Sequence, residues 1–470
     1  MLTPTANGDT RLSLWLRVRE FAVPPSMIET AALRRSVGDW AGACAAAGID
    51  VDLDLRSTTR CYGRQLADRV RADLRRLAPD LLRWHMPRIA PDGLLRPGLT
   101  VPLARYDVST DAESHAVYLV VRTPPSWADA GQRMSLALWD RSRAEAGEHR
   151  HPHARPHPRH RLDLHRHLWD AHRSDELRLR SGAGGASTDP TLAVEREPGR
   201  AVDRWAAEAG ILLRAEGLTA GRVRVRLGAR RQLLLDVDAR GDTSVAAMSM
   251  HGRAATSASV TAPAAASVAD LRALPVLPDA STWVPPDLEL LRAGLIEAGR
   301  LHPLVASALV PDHAPTGPPP EGDRPGQPRL VDCRGVLHRI GLSDGVLAPL
   351  DHGPAELRRE ELLVALGGPP LPCLQAVDEA HRRPECLTGV RERLDHGDTV
   401  GALAVVEGLL GPGAVLRGGA LRDALETAAR RRITYGLFRA GLYGPGPGRA
   451  LPGPDRPRHH RTHPRHTLTR

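Results

Sequence analysis

Lysine is absent from all 470 residues, so every permanently cationic side chain is an arginine. That excludes a phosphate-binding loop of the G-x-x-x-x-G-K-[ST] type, whose lysine neutralises the β- and γ-phosphates. It also disarms Asp378-Glu379-Ala380-His381, which matches a DEAH helicase box by letter. Leu374 to Val377 read as helix rather than as the buried strand such a box needs, so these acids belong to a polar helix face. Aromatic residues are only 3% of the chain, with two Phe, and aliphatic packing must therefore carry the core. Cysteines are few, odd in number and widely spread: Cys44, Cys61, Cys333, Cys373 and Cys386. This argues against a disulfide framework and for a reducing, cytoplasmic setting. No apolar run approaches the roughly 18 residues of a membrane span. Charged Arg11, Arg17, Arg19 and Glu20 interrupt Leu12–Leu16, so no secretory leader is expected.

What is present is an ordinary globular balance, 41% hydrophobic and 25% charged, in a chain long enough for two or three domains. Abundant Ala, Gly, Pro and Leu beside Arg suggest a compositional bias, which lowers the weight of arginine as a sign of phosphate binding. The net charge of +9 is unevenly placed. Arg141 to Arg161 holds six Arg against two Glu, and Gly444 to Arg470 holds six Arg against one Asp. These segments account for the whole excess. A formally neutral body with basic appendages implies salt-dependent phosphate contacts at most.

Periodicity predicts a mixed α+β, multi-domain chain: an N-terminal small sheet with helices, and a C-terminal β-meander followed by a helical bundle. Residues 1–26 read as a flexible extension and 27–140 as an N-terminal α+β domain. Leu33, Val37, Trp40 and Cys44 mark one helix over 29–47, and a second covers 58–77. Strands are expected at 99–105, 117–122 and 135–139. A His/Pro/Arg-rich linker follows at 141–160. Residues 161–240 form an α+β segment packing on the N-terminal domain, with helices over 161–180 and 201–216 and a hairpin around Gly228. An Ala/Ser/Thr-rich linker spans 241–280, a short helical segment 281–310 and a Pro-rich linker 311–328. Residues 329–443 carry a three-strand meander and five helices, the last with Leu421, Leu425, Ala429, Ile433 and Leu437 as its core-facing stripe. Residues 444–470 are a basic tail expected to be disordered.

Several motifs resemble chemistry without its context. Gly341-Leu342-Ser343-Asp344-Gly345 fits the G-x-S-x-G elbow, with Asp351, His352, Asp395 and His396 downstream as conceivable partners. An elbow needs a helix directly after the serine, whereas Val346–Pro349 is extended, so a hairpin turn is the better reading. Asp50, Asp52 and Asp54 start like a calcium loop, but Leu55 replaces the required Gly and Cys61 the required Glu. Gly182-Ala183-Gly184-Gly185 fails the dinucleotide fingerprint at Ser187. Histidines are dense at His149, His151, His153, His157 and His160, and again at His165, His167 and His172. Such density can bind Zn²⁺ or Ni²⁺ adventitiously; His165, His167, Asp170 and His172 are the candidate ligands. Cys333, His338, Cys373, His381 and Cys386 could share a zinc, but no C-x-x-C pair anchors them, and scattered buried thiols are favoured. The Gly411–Gly419 segment is too long for a helix-turn-helix.

With no motif meeting its requirements and no cofactor implied, the sequence points to a non-catalytic cytoplasmic adaptor or regulatory protein acting through protein–protein contacts, with Trp283 before Pro285 among its candidate contacts. The alternatives are a hydrolase using Ser343 or a His-cluster metal, and a weak nucleic-acid-associated protein using the basic linker and tail. No membrane partner is expected.

Overall fold

The computed structural model describes residues 4–109, 114–141, 155–183, 199–228, 231–238, 243–249, 273–313, 329–333, 335–343, 346–382, 387–410 and 419–442. The chain is mixed α+β and divides into two compact units. The larger comprises residues 1–124 and 134–315; the smaller comprises 125–133 and 316–470.

The larger unit opens with helices α1 (Pro4–Phe21), α2 (Pro25–Ser36) and α3 (Trp40–Ala46), then strand β1 (Ile49–Val51), α4 (Leu55–Arg76) and α5 (Pro79–His85). Short strands β2 (Arg88–Ile89) and β3 (Leu94–Leu95) precede β4 (Thr100–Ser109), β5 (Ser114–Arg122) and β6 (Met134–Asp140). The main sheet runs β1-β6-β5-β4, with β1 parallel to β6 and the other pairs antiparallel. Helix starts follow local chemistry: Asp54 caps α4 by accepting from the backbone N–H of Ser57 at 2.8 Å, and Asp39 caps α3 through Gly42 N–H at 2.8 Å. The residues expected to form a loose extension instead form α1, with Val18, Ala22 and Val23 in the main core.

The helix expected over 29–47 is broken at Gly38, whose φ of +80° suits glycine. The break turns Leu33 and Val37 outward, at 67% and 73% exposure, while Cys44 stays buried. Residues 161–180 are not one helix but two 3₁₀ turns and a short α6 (Glu176–Arg180); they supply Leu162, Leu168, Trp169 and Leu177 to the main core. A second, smaller core joins α7 (Trp205–Ala215) to the antiparallel meander β7 (Gly221–Arg226), β8 (Arg231–Val237) and β9 (Thr243–Ser249). Strand β9 lies inside the stretch expected as linker; its seven residues pair in full with β8, which the small-residue composition concealed. Helices α8 (Asp279–Thr282), α9 (Pro286–Arg292) and α10 (Pro303–Leu309) complete the unit, and Leu290 and Val305 enter the main core.

The smaller unit contains the meander β10 (Arg329–Cys333), β11 (Val336–Ser343) and β12 (Val346–Pro349), as the sequence predicts. Helices α11 (Pro354–Ala365), α12 (Pro372–Arg382), α13 (Leu387–His396), α14 (Thr399–Leu410) and α15 (Ala420–Arg439) follow. The four-residue repeat on α15 does not stay on one face. At 3.6 residues per turn it precesses, so Leu421 is buried while Ile433 is 63% exposed and Tyr435 takes the inward position. Trp127, in the 125–133 segment, meets Phe438 edge-on at 5.3 Å. Gly397, at φ +91°, lies so close to Gly131 that a Cβ would fall 2.0 Å from its carbonyl oxygen.

Two measurements check this packing. Leu421→Ala is expected to cost about 2–5 kcal/mol in urea unfolding, and Ile433→Ser less than about 0.5 kcal/mol; equal losses would mean the i+4 stripe is the true core face. Asp287→Ala, which strands the buried Arg19 guanidinium, is expected to cost about 3–5 kcal/mol. The double change Arg19→Met, Asp287→Leu should cost less than that single one.

Candidate functional site

The larger unit carries a half-open cavity of about 400 Å³, a volume suited to a small molecule. Helix α1 contributes Arg11, Trp15 and Arg19, spaced by four so that they form one stripe. The end of α5 and the chain beyond it contribute Trp84, His85, Met86 and Arg88; residues 159–168 and 279–286 close the far side.

Seven arginines border the cavity (Arg11, Arg19, Arg88, Arg96, Arg159, Arg180 and Arg204) against a single lining carboxylate, Asp279. Arg159 grips Asp279 with two hydrogen bonds of 3.0 and 2.7 Å. Arg19 grips the buried Asp287 at 2.6 and 2.8 Å and is stacked between Trp84 and Trp15, 4.2 and 5.1 Å from their ring centres. Arg11 pairs with Glu289, and Arg180 and Arg204 share Glu208. Four carboxylates therefore answer seven guanidiniums. Among the described residues no carboxylate pairs with Arg88 or Arg96. Arg88 donates only to the main-chain oxygens of Arg83 (2.8 Å) and Gly93 (3.4 Å), and its Nε has no partner. Burial, and then the positive charges of Arg83 and Arg19, make its charged form much harder to hold than usual. Nη1 of Arg204 is also buried without a partner.

Three imidazoles complete the wall. His85 Nδ1 faces the carbonyl oxygens of Leu81 and Leu168, both at 3.1 Å, so that nitrogen donates and Nε2 keeps its lone pair. Burial pushes His85 down to about 4 and His160 down to about 3, and it lowers His167 far below its ordinary value. Nε2 of His85, Nε2 of His160 and Nδ1 of His167 are buried without hydrogen-bond partners. Such groups are expensive to leave unmatched, and a bound polar ligand or water is what satisfies them.

The candidate ligands of the 165–172 segment separate. His165 is fully engaged behind the wall: Nδ1 lies 2.9 Å from the Arg161 carbonyl and Nε2 2.7 Å from Ser281 Oγ, which in turn donates to Glu208 at 2.8 Å. Burial alone would raise the Glu208 carboxyl, but hydrogen bonds from His165 and Arg180 outweigh it and hold it well below the usual range. His167 lines the cavity, Asp170 is buried against Arg166 and the His172 N–H, and the His172 side chain is exposed. Histidines 149, 151 and 153 lie outside the described residues. Ser343 is exposed at the last paired position of β11, opposite Val346 on β12, and no helix follows it. Asp351, a conceivable partner for it, is held by Arg339.

The thiol and imidazole set behaves differently. Cys333, His338 and Cys373 do come together, joined by His352, with one ligand atom from each residue within 4.8 Å of the others. Cys386 and the side chain of His381 lie outside the described residues. The Ser343 and zinc readings had set His352 and His338 in separate motifs, and only the pairing of β11 with β12 unites them.

No family model, no curated protein and no solved structure matches this chain. Among the described residues no helix is long and apolar enough to cross a membrane.

The neutral imidazoles give a pH signature. An unfolded histidine titrates near its ordinary 6.5, so the unfolded chain binds more protons below that point and stability falls as pH falls. For His85 the loss runs from about 6.5 down to about 4, with a slope of up to about 1.4 kcal/mol per pH unit. Urea unfolding measured across this range should show a shallower slope in His85→Gln than in the parent. Identical slopes would mean that this ring protonates freely in the folded chain.

Proposed function

We propose that this chain is a non-catalytic regulatory protein of the cytoplasm whose larger unit binds a small organic phosphate and whose liganded form is read by a protein partner. One observation carries the reading: guanidinium charge without matching carboxylate borders a mostly apolar cavity of small-molecule size. A phosphate monoester supplies close to two negative charges and several strong acceptors, which suits Arg88 and the free Nη1 of Arg204. Trp15, Trp283, Met86 and Leu168 offer apolar surface to the remainder of such a ligand.

Binding rather than turnover is favoured by the composition of the wall. Among the described residues no serine, threonine, cysteine or lysine lines the cavity, and the lining Asp279 is committed to Arg159. Ser281, hydrogen-bonded to His165 and Glu208, is wholly buried and cannot meet a substrate.

Phenyl phosphate and adenosine monophosphate are suitable probes, with phenol and adenosine as uncharged controls. Calorimetric titration should show binding of the phosphates above the controls, with a matching rise in the unfolding midpoint. Arg88→Met, which strands no carboxylate, should weaken phosphate binding by about 10- to 100-fold, as expected for loss of a charge-assisted hydrogen bond. Equal affinity for charged and uncharged probes, or unchanged affinity in Arg88→Met, would remove the proposal.

A further inference from the structure

The smaller unit carries a second site, independent of the cavity. Cys333 ends β10, His338 lies on β11, His352 follows β12 and Cys373 begins α12. The antiparallel register places Cys333 opposite Val336 and Val331 opposite His338, so the first two residues meet at one end of the hairpin. Strand β12 then returns the chain to deliver His352, whose Nε2 lies 2.7 Å from His338 Nδ1 with the rings edge to face. Cys333 and Cys373 are buried, at 4% and 0% exposure.

We propose that Cys333, His338, His352 and Cys373 together hold one structural zinc ion. In a tetrahedral site with Zn–S near 2.3 Å and Zn–N near 2.0–2.1 Å, neighbouring ligand atoms stand about 3.3–3.8 Å apart. Here all four ligand atoms already fall within 4.8 Å of one another. The two imidazole nitrogens share one hydrogen bond, and the buried thiols lie beside them. A cation that replaces the shared proton and the thiol protons converts the same four atoms into a coordination shell. Each thiol releases its proton to solvent on binding, so two thiolates neutralise the 2+ ion and the buried site carries no net charge. Behind the site, Glu356 stands 3.2 Å from His352 Nδ1, within ion-pair distance but without hydrogen-bond geometry. All four positions come from protein, which marks a closed, structural centre and not a catalytic one.

The surrounding fold supplies the reason for such a staple. The hydrophobic cluster here consists of Cys333, Ile340, Leu371 and Cys373, so half of its buried members are the proposed ligands. On the same sheet Leu330, Val336 and Leu337 are more than half exposed. A three-stranded meander with so small a core gains most of its order from a metal.

The test uses the full chain, purified without a histidine tag or chelator. Elemental analysis should find one zinc per chain. The separate His149–His172 tract can scavenge metal, so Co²⁺ replacement provides the discriminating readout. Thiolate-to-cobalt charge transfer and intense tetrahedral visible bands should appear at one equivalent, and imidazole ligation alone does not give the charge-transfer band. That band should disappear in the Cys333→Ser, Cys373→Ser double variant and persist in the triple variant His149→Ala, His151→Ala, His153→Ala. His352→Cys should retain one ion and raise the charge-transfer intensity by about half, as three thiolates replace two; this variant keeps the test decisive should the double variant fail to fold. Sub-stoichiometric zinc with no charge-transfer band, a band insensitive to loss of both cysteines, or a Cys333–Cys373 disulfide in freshly isolated chain would overturn the assignment.

Discussion

The larger unit is organised around one buried charge. Arg19 lies on the N-terminal helix, yet its guanidinium is spent on Asp287, 268 residues later, and on the carbonyl of Trp84 at 2.9 Å. The Trp84 indole N–H turns to the same carboxylate at 3.2 Å, and its ring faces the arginine. Desolvating two ions is costly, and the cost is offset only when every donor and lone pair has a partner. Here they are satisfied jointly by α1, α5 and α9. None of these three elements can shift without stranding a charge, and all three border the cavity, so the folding constraint and the shape of the pocket are a single geometric fact.

The same economy of residue types explains the chemistry of the wall. With no lysine and two phenylalanines in the chain, the cavity draws its cations from arginine and its large aromatic rings from tryptophan. A guanidinium is planar and weakly hydrated, and it stacks on an indole while its edge still donates hydrogen bonds. Arg11 near Trp283, Arg19 near Trp15 and Arg166 over Trp169 repeat that pairing. Of the carboxylates that balance them, Asp287, Glu289 and Glu208 do not line the cavity, whereas Asp279 does. A body that is formally neutral by sum therefore holds a locally cationic cavity.

Much of the strand content was legible because alternation reports burial directly. The strands at 117–122 and 135–139 fall within β5 and β6, and the 331–350 meander was recovered strand by strand. Helical readings failed where the repeat was taken too literally: Gly38 broke the first, and the four-residue spacing on α15 carried Ile433 out of the core. The pocket was missed for a different reason. Arg11, Trp15 and Arg19 stand at i, i+4 and i+8, a signal present in the sequence but lost once residues 1–26 were read as an extension and arginine was discounted as compositional habit. Of the thiol and imidazole set, three members were named, and His352 was assigned instead to a serine. No local spacing reveals that Cys333 and Cys373, 40 positions apart, are neighbours; the packing of α12 on β10 decides it.

The electrostatics of the cavity also fix how it responds to its surroundings. The guanidiniums that keep a carboxylate partner stay charged through the physiological range, whereas burial lowers Arg88 well below its ordinary value. The lining imidazoles, which ordinarily titrate in that range, are held neutral by burial, with neighbouring arginines adding to the effect at His85 and His160. The imidazoles therefore add no charge to the wall near neutrality. For the phosphate binding proposed above, pH dependence near neutrality would come from the ligand, whose second ionisation lies near pH 6. A histidine-rich pocket would ordinarily suggest a proton sensor; burying these rings beside arginines removes that behaviour near neutrality.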